Sequence, residues 1–313
     1  MLEVYSVKVV ITGASSPLGR ALIDELLTHN IEVLAICRKN SERMKHIPEN
    51  KKIKIVECSL SELSELSLEG KYDVFYHFAW ASTAGNAARD LIEAHVDNIK
   101  YTLDAVDLAK RIGCYRFIGS GSQAEYGRVN VRLNAEVPTN PESAYGMAKL
   151  CAGQMSRLKC EQLGMEHIWT RILSVYGPYD SDKTLVMSVV KNLLSGNCVS
   201  CTKGEQIWDL IYSKDAARAL YLLGEKGISG KIYCIGRGIQ KTIKEYVEEI
   251  RDMINPEAEN GFGDIEYSSK QVMYLLADIE ELVKDTGFQI KYSFEKGIAE
   301  IVDFCVNEER RFN

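Results

Sequence analysis

At 313 residues, 46% apolar and 26% charged, the chain has the composition of an ordinary globular protein, long enough for two domains or for one large α/β domain with an appendage. A net charge of −6 with dispersed Lys and Arg argues against nucleic acid or an anionic membrane as partner, and no apolar run reaches bilayer length. Nine irregularly spaced cysteines read as reduced thiols, and the opening Met-Leu-Glu-Val-Tyr-Ser has no secretion core, so the expected location is cytoplasmic.

Val7-Lys-Val-Val-Ile-Thr12 has the pattern of a buried strand. It runs into Gly13-Ala-Ser-Ser-Pro-Leu-Gly19 and then a helical segment with Leu18, Ala21, Leu22 and Leu26 on one side. A strand, a glycine turn and a helix N-terminus form the context in which backbone amides hold a pyrophosphate. Gly13 permits the turn and Gly19 lets helix and strand pack closely, while Ser16 occupies the usual middle glycine. Ile31–Cys37 is the second strand. An acidic residue at its end would bind a ribose hydroxyl and favour NAD. Cys37 stands there instead, and Arg38 beside it suits a 2′-phosphate, so NADP(H) is expected, with NAD as the alternative.

Lys54–Ser59 is a third strand, its end near the expected adenine, and Asp73–Ala79 a fourth, leading to Trp80-Ala-Ser-Thr83 on the nicotinamide side. His77 reads as a core residue. A helix is expected over about 87–112 with Val96, Ile99, Leu103 and Val106 as its apolar stripe. Asn98 on that helix is a candidate for orienting a lysine. Tyr115–Ser122 is the fifth strand; a connector from Tyr126 to Pro141 follows.

The next helix contains Ser143-Ala-Tyr-Gly-Met-Ala-Lys149, with Leu150, Met155 and Leu158 as its apolar face. Tyr145 and Lys149 lie one turn apart. A nearby ammonium favours the phenolate, lowering a pKa normally about 10, so Tyr145 is the expected acid/base. Ser122 supplies a second hydrogen bond to the same substrate oxygen. Two other matches to this spacing, Tyr179/Lys183 and Tyr292/Lys296, lack the strand and glycine context and read as surface residues.

His167–Leu173 is a sixth strand, and the alternation predicts a doubly wound parallel sheet of the Rossmann type. After Tyr176-Gly-Pro178 the alternation stops. Helices are expected around Leu185–Leu194 and from Ser213, and a late strand at Lys231–Gly236. The expected division is a dinucleotide-binding domain over 1–174, rejoined by 205–238, and a smaller mixed substrate-binding region from 175–204 and 239–313. The lone Cys198-Val-Ser-Cys201 and five scattered histidines make no case for a metal.

Taken together, Thr12-Gly13 to Gly19, His77-Phe-Ala79, Asn98, Ser120-Gly-Ser122 with Tyr126-Gly127, Tyr145 to Lys149, Arg171 with Val175-Tyr-Gly-Pro178, and Gly204-Glu-Gln206 with Asp209 and Asp215 resemble an extended short-chain dehydrogenase/reductase. Within that class the chain looks like the NAD-dependent epimerase/dehydratase group acting on nucleotide sugars. The resemblance implies Ser122, Tyr145 and Lys149 as the catalytic set. It implies cofactor contacts from Gly13, Ser15, Ser16, Pro17, Leu18, Gly19, Arg38, Ser59, Leu60, Phe78, Ala79, Trp80 and Asn98, besides Tyr145 and Lys149. Substrate contacts would come from Ser82, Thr83, Gln123, Ser174 and Trp208. Ser174 stands where the family often has Asn and Trp208 where it often has a diphosphate-binding Arg, which implies rearranged nucleotide contacts. Members that dehydrate carry an acid two residues before the Tyr-Gly; Ala124 is there, with Glu125 displaced by one. That disfavours a dehydratase. Reduction of a 4-keto-6-deoxy nucleoside-diphosphate sugar, as in CDP-abequose-type 4-ketoreductases, is the expected reaction, with 4-epimerisation as alternative. A non-catalytic NADP-binding sensor or scaffold is the alternative of another class, disfavoured by the intact Ser122/Tyr145/Lys149 set. The resemblance also implies a homodimer formed through the 87–112 and 143–163 helices.

Overall fold

The computed structural model describes residues 7–82 and 87–312. In chain order its elements are β1 (Lys8–Thr12), α1 (Pro17–Thr28), β2 (Glu32–Cys37), β3 (Ile53–Glu57), β4 (Val74–His77), α2 (Ile92–Arg111), β5 (Arg116–Ser122), α3 (Ala144–Gln162) and β6 (Glu166–Ile172). There follow β7 (Ser174–Tyr176), α4 (Leu185–Leu194), β8 (Val199–Cys201), β9 (Ile207–Trp208), β10 (Leu210–Tyr212), α5 (Ser213–Lys226), β11 (Ile232–Ile235), α6 (Ile243–Ile254), β12 (Asn260–Phe262), β13 (Tyr274–Leu275), α7 (Glu280–Thr286) and α8 (Phe294–Phe312).

Seven strands form one sheet in the order β3-β2-β1-β4-β5-β6-β11, every neighbouring pair parallel. Parallel strands need crossovers that cover both faces, which explains the continuous apolar runs of β1, β2 and β4. Helices α1 and α5 pack on one face around Leu22, Ile23, Leu26, Leu220 and Leu223. Helices α2 and α3 cover the other, around Val106, Leu108, Phe117 and Cys160. The chain leaves β1 and goes to opposite sides of the sheet through β2 and β4, so the crevice lies at the C-terminal ends of β1 and β4.

Two helix faces differ from the sequence reading. In α2 the inward residues are His95, Asn98, Thr102, Ala105, Leu108 and Ala109 together with Val106 of the expected stripe, whereas Val96 of that stripe is 58% exposed. In α3 they are Gly146, Lys149, Ala152, Gly153, Ser156 and Cys160, while Met155 and Leu158 point outward. The cause is close approach. The Trp169 ring from β6 lies against both the sheet and α3: a Cβ on Gly119 would come within 2.3 Å of it and one on Gly153 within 2.6 Å. Only small residues fit there, so α3 docks by its glycines and presents its larger apolar side chains outward.

A second core, separate from the sheet, joins α4, α6 and α8 through Val189, Val190, Val247, Ile250, Ile298 and Ile301. Tyr292 packs beside it, its ring centre 5.2 Å from that of Tyr212, rather than lying free on the surface. Three parallel two-stranded pairs, β10·β7, β12·β8 and β13·β9, stitch this region together.

Two buried histidines should make the fold acid-sensitive. His77 sits between the hydroxyls of Thr12 (2.8 Å) and Thr102 (3.4 Å), and His167 against Ser156 (2.9 Å). Burial pushes both down to about 3. An unfolded histidine binds its proton near the ordinary 6.5, so stability is intact above that value and is lost as the pH falls toward 3. Each histidine should cost about 2 kcal/mol of stability by about pH 5. Urea midpoints should fall between neutral pH and that point, and His167→Gln should flatten the decline by roughly half.

Candidate functional site

The site begins at the turn between β1 and α1. Gly13 has φ +70°, and a Cβ there would lie 2.7 Å from the Ala79 amide nitrogen; one on Gly19 would lie 2.4 Å from the Gly13 carbonyl. Ser16, in place of a glycine, is the N-cap of α1: its hydroxyl accepts the Gly19 N–H at 3.1 Å, and Pro17 opens the helix. The serine therefore strengthens the turn. A helix N-terminus facing bare backbone is a cradle for a pyrophosphate, so these residues fit a dinucleotide. Leu18 is half-buried in the first turn of α1, and Ser15 hydrogen-bonds the Cys37 thiol, whose pKa burial pushes up.

At the end of β2, Arg38 is exposed and enters no ion pair among the described residues. Glu57, the register partner of Cys37 on β3, accepts the Asn40 N–H at 3.0 Å. Ser59 caps the turn at Leu60–Glu62, with Glu62 returning to the Ser59 N–H at 2.9 Å. Leu60 rests half-buried on the core behind it.

Tyr145 and Lys149 project from the first two turns of α3 toward the end of β5. The Lys149 ammonium donates to the Ser120 carbonyl at 2.6 Å, lies 3.4 Å from the Ser120 hydroxyl, and sits 3.7 Å from the centre of the Trp80 ring. Burial lowers its pKa to about 7. Tyr145 is half-buried and hydrogen-bonds Ser122. The expected lowering of the Tyr145 pKa is offset by burial, which raises it; the Lys149 ammonium, hydrogen-bonded to Ser120, lies 5.8 Å from the ring centre. The influences drawing the phenol down are the Ser122 hydrogen bond and then Arg89, whose guanidinium lies 4.8 Å from the ring centre.

Asn98 also differs from its expected task of orienting a lysine. Buried on α2, it accepts the Ala81 N–H at 2.9 Å and donates to the Ala81 carbonyl at 3.0 Å, clamping the loop after β4. That clamp fixes the run of Phe78, Ala79 and Trp80, all half-buried at the crevice. The Trp80 indole N–H donates to His95 Nδ1 at 3.3 Å. Ser82 follows in a left-handed conformation, φ 59°. Thr83 lies outside the described residues.

Glu125 was not singled out as a site residue by sequence, yet it organises the floor. It is fully buried; Oε1 accepts the Ser122 N–H at 2.9 Å and the Trp169 indole N–H at 3.0 Å, and Oε2 accepts Arg171 Nε at 2.7 Å. The signal was present: Ser122-Gln-Ala-Glu125 is a capping-box pattern, and Trp169 and Arg171 share one face of β6. Ala124 and Gln123 are half-buried in the same turn. On the outer side, Trp208 Nε1 donates to Ser174 Oγ at 2.8 Å, so the two unusual positions are partners of each other. Asp209 accepts the amides of Arg237, Gly238 and Ala277, and Asp215 those of Lys291 and Tyr292; both tie loops together. Among the described residues no group of three His, Cys, Asp or Glu could hold a metal ion.

The model of the family described as NAD dependent epimerase/dehydratase matches residues 9–236. The chain belongs to this family. It is 24% identical to the dTDP-glucose 4,6-dehydratase of Haemophilus influenzae, covering 94% of this chain and 96% of that protein. It is 24% identical to the CDP-abequose synthase of Salmonella typhimurium, covering 94% and 97%. Among solved structures, the UDP-N-acetylglucosamine 4-epimerase of Methanobrevibacter ruminantium M1, in complex with UDP-N-acetylmuramic acid, superposes with TM-score 0.87 at 22% identity, covering 97% of this chain and 99% of that one. The family is thus one of extended short-chain dehydrogenase/reductase enzymes, and the fold agrees over nearly the whole chain.

A buried lysine with a lowered pKa stands in an environment that disfavours its charge. The unfolded lysine keeps its proton up to about 10.5 and the folded one only up to about 7, so wild-type stability should rise with pH across that window. Lys149→Met should melt higher than wild type at neutral pH, by about 2–4 °C per kcal/mol relieved, while losing turnover. Calorimetry from neutral to alkaline pH should show that advantage shrinking.

Proposed function

We propose that this enzyme reduces a 4-keto-6-deoxy nucleoside-diphosphate sugar, with NADPH as the reductant. The observation that carries the reading is the confinement of Glu125. The carboxylate one residue beyond the dehydratase position is held by three donors beneath the floor, and Ala124 stands in that position. Elimination of water needs an extra acid or base at the substrate; reduction of a carbonyl needs only a hydride and one proton. NADPH supplies the hydride when bound. Tyr145 gives the proton to the carbonyl oxygen, Ser122 donates a hydrogen bond to that oxygen, and Lys149 holds the nicotinamide ribose. The glycine turn holds the pyrophosphate at the N-terminus of α1, and Arg38 takes the 2′-phosphate. Ser82, Thr83, Gln123, Ser174 and Trp208 are the residues proposed to contact the sugar nucleotide.

The cofactor choice rests on Arg38 being unpaired and on the lack of a carboxylate at Cys37. Similarity to CDP-abequose synthase over 94% of the chain supports the reaction. A 4-epimerase is the second reading, because the same three residues suffice for it and the 4-epimerase cited above shares the fold. Supplying NADPH with several 4-keto-6-deoxy nucleotide sugars should consume cofactor in proportion to the hydroxyl formed at C4. Interconversion of C4 epimers without net consumption would replace the reductase by the epimerase. Tyr145→Phe should keep cofactor binding and lose turnover by about 10²–10⁴-fold. Arg38→Ala should weaken NADPH alone, by about 1.5–3 kcal/mol, leaving NADH binding unchanged.

We also propose a homodimer acting in the cytoplasm. The outward faces of α2 and α3 expose Val96 (58%), Met147 (54%), Met155 (45%) and Leu158 (51%), an apolar surface continuous across two packed helices. A second copy related by a two-fold axis would present the same face in return. Among the described residues no helix is long and apolar enough to cross a membrane. Leu158→Arg with Met147→Glu should convert the sedimenting species to monomer; a wild type that sediments as a monomer would end the proposal.

A further inference from the structure

We infer that Arg89 is a positioning residue that lowers the proton affinity of Tyr145. The inference rests on the reading of Tyr145 as the acid/base. Arg89 belongs to the short turn at Ala87–Asp90, just before α2, and is half-buried. Its guanidinium lies 4.8 Å from the centre of the Tyr145 ring, and it enters no ion pair among the described residues. A cation over a phenol ring gains when the phenol becomes a phenolate, because a full negative charge replaces a quadrupole.

The groups facing the ring come from four elements. Arg89 comes from the turn, His95 from α2 with its ring centre 5.7 Å away, Lys149 from α3 itself, and Glu125 from the turn after β5. His95 Nδ1 accepts the Trp80 indole N–H, and its Nε2 donates to the Ala88 carbonyl at 3.1 Å. Lys149 donates to the Ser120 carbonyl and lies over the Trp80 ring, 5.8 Å from the Tyr145 ring centre. The Glu125 charge opposes phenolate formation but is bound to Arg171. Arginine alone of these keeps a full positive charge at every working pH.

The same hydrogen bonds explain how Arg89 is held. Trp80 fixes His95, and His95 fixes the carbonyl of Ala88, the residue before Arg89. The crevice wall therefore places the cation on the phenol by way of backbone, with no carboxylate needed to steer it.

The test compares Arg89→Met, which removes the charge, with Arg89→Lys, which keeps one. In the reductive direction Tyr145 gives up a proton, so kcat falls as the pH rises through its pKa. Losing Arg89 raises that pKa, and the fall should move up by about one pH unit in Arg89→Met and by a small fraction of that in Arg89→Lys. A readout independent of substrate is the phenolate absorbance difference between each protein and its Tyr145→Phe counterpart, which should shift by the same amount. An unmoved titration in Arg89→Met overturns the inference, as does a raised KM with an unchanged pH profile, which would make Arg89 a substrate contact. If no nucleotide sugar is turned over, the proposed function fails while the absorbance titration still decides the role of Arg89.

Discussion

The Glu125 carboxylate, buried at the junction of β5, β6 and the following turn, is the interaction on which the site depends. It takes donors from Ser122, Trp169 and Arg171. A buried ion pair of this kind contributes little net stability, but losing one partner leaves the other charge stranded, which makes the arrangement all-or-none. Glu125 fixes the backbone of Ser122 and the tilt of the Trp169 indole together. Trp169 in turn fills the space that Gly119, Gly121 and Gly153 leave, which brings α3 close enough for Lys149 to reach the Ser120 carbonyl. The geometry of the catalytic candidates is thus inherited from a carboxylate that is walled off from the crevice.

Seen this way, the small residues in Gly119-Ser-Gly-Ser122 are a packing requirement before they are a functional motif. A Cβ on Gly121 would lie 2.3 Å from both Glu125 Oε1 and Trp169 Nε1. Close packing of sheet and helix also has an electrostatic cost, since it strips water from Lys149 and from Tyr145 alike. The loss of water raises the phenol and lowers the ammonium, so two proton affinities that are close in water are driven apart.

Much of the sheet was legible because parallel strands buried on both faces leave continuous apolar runs: the strands expected at Val7–Thr12, Ile31–Cys37 and Tyr115–Ser122 differ from the structure by one residue at most. The glycine turn was legible because Gly13 and Gly19 occupy positions where no side chain fits. The buried faces of α2 and α3 were legible only in part, through Val106. Helical periodicity assigns large apolar residues to the core, but these helices bury His95, Asn98, Lys149 and Ser156 and send Val96 and Leu158 outward. Polar residues stay buried there because each has a partner across the interface, a fact about tertiary neighbours that no local window contains. The same limit hid the pairing of Ser174 with Trp208 and turned Asn98 from a lysine's partner into a clamp on Ala81.

The last strand to enter the sheet, β11, comes sixty residues after its neighbour β6, a separation visible in the pairing of Trp169 with Ile232 and of Ile172 with Ile235. During synthesis, β6 therefore waits with one row of amides and carbonyls open until β7 to α5 have been made. That edge carries Trp169 and Arg171, the partners of Glu125. An open, largely apolar edge is a template for pairing with another chain. The strand that holds the partners of Glu125 is thus also the one whose open edge is closed last in chain order.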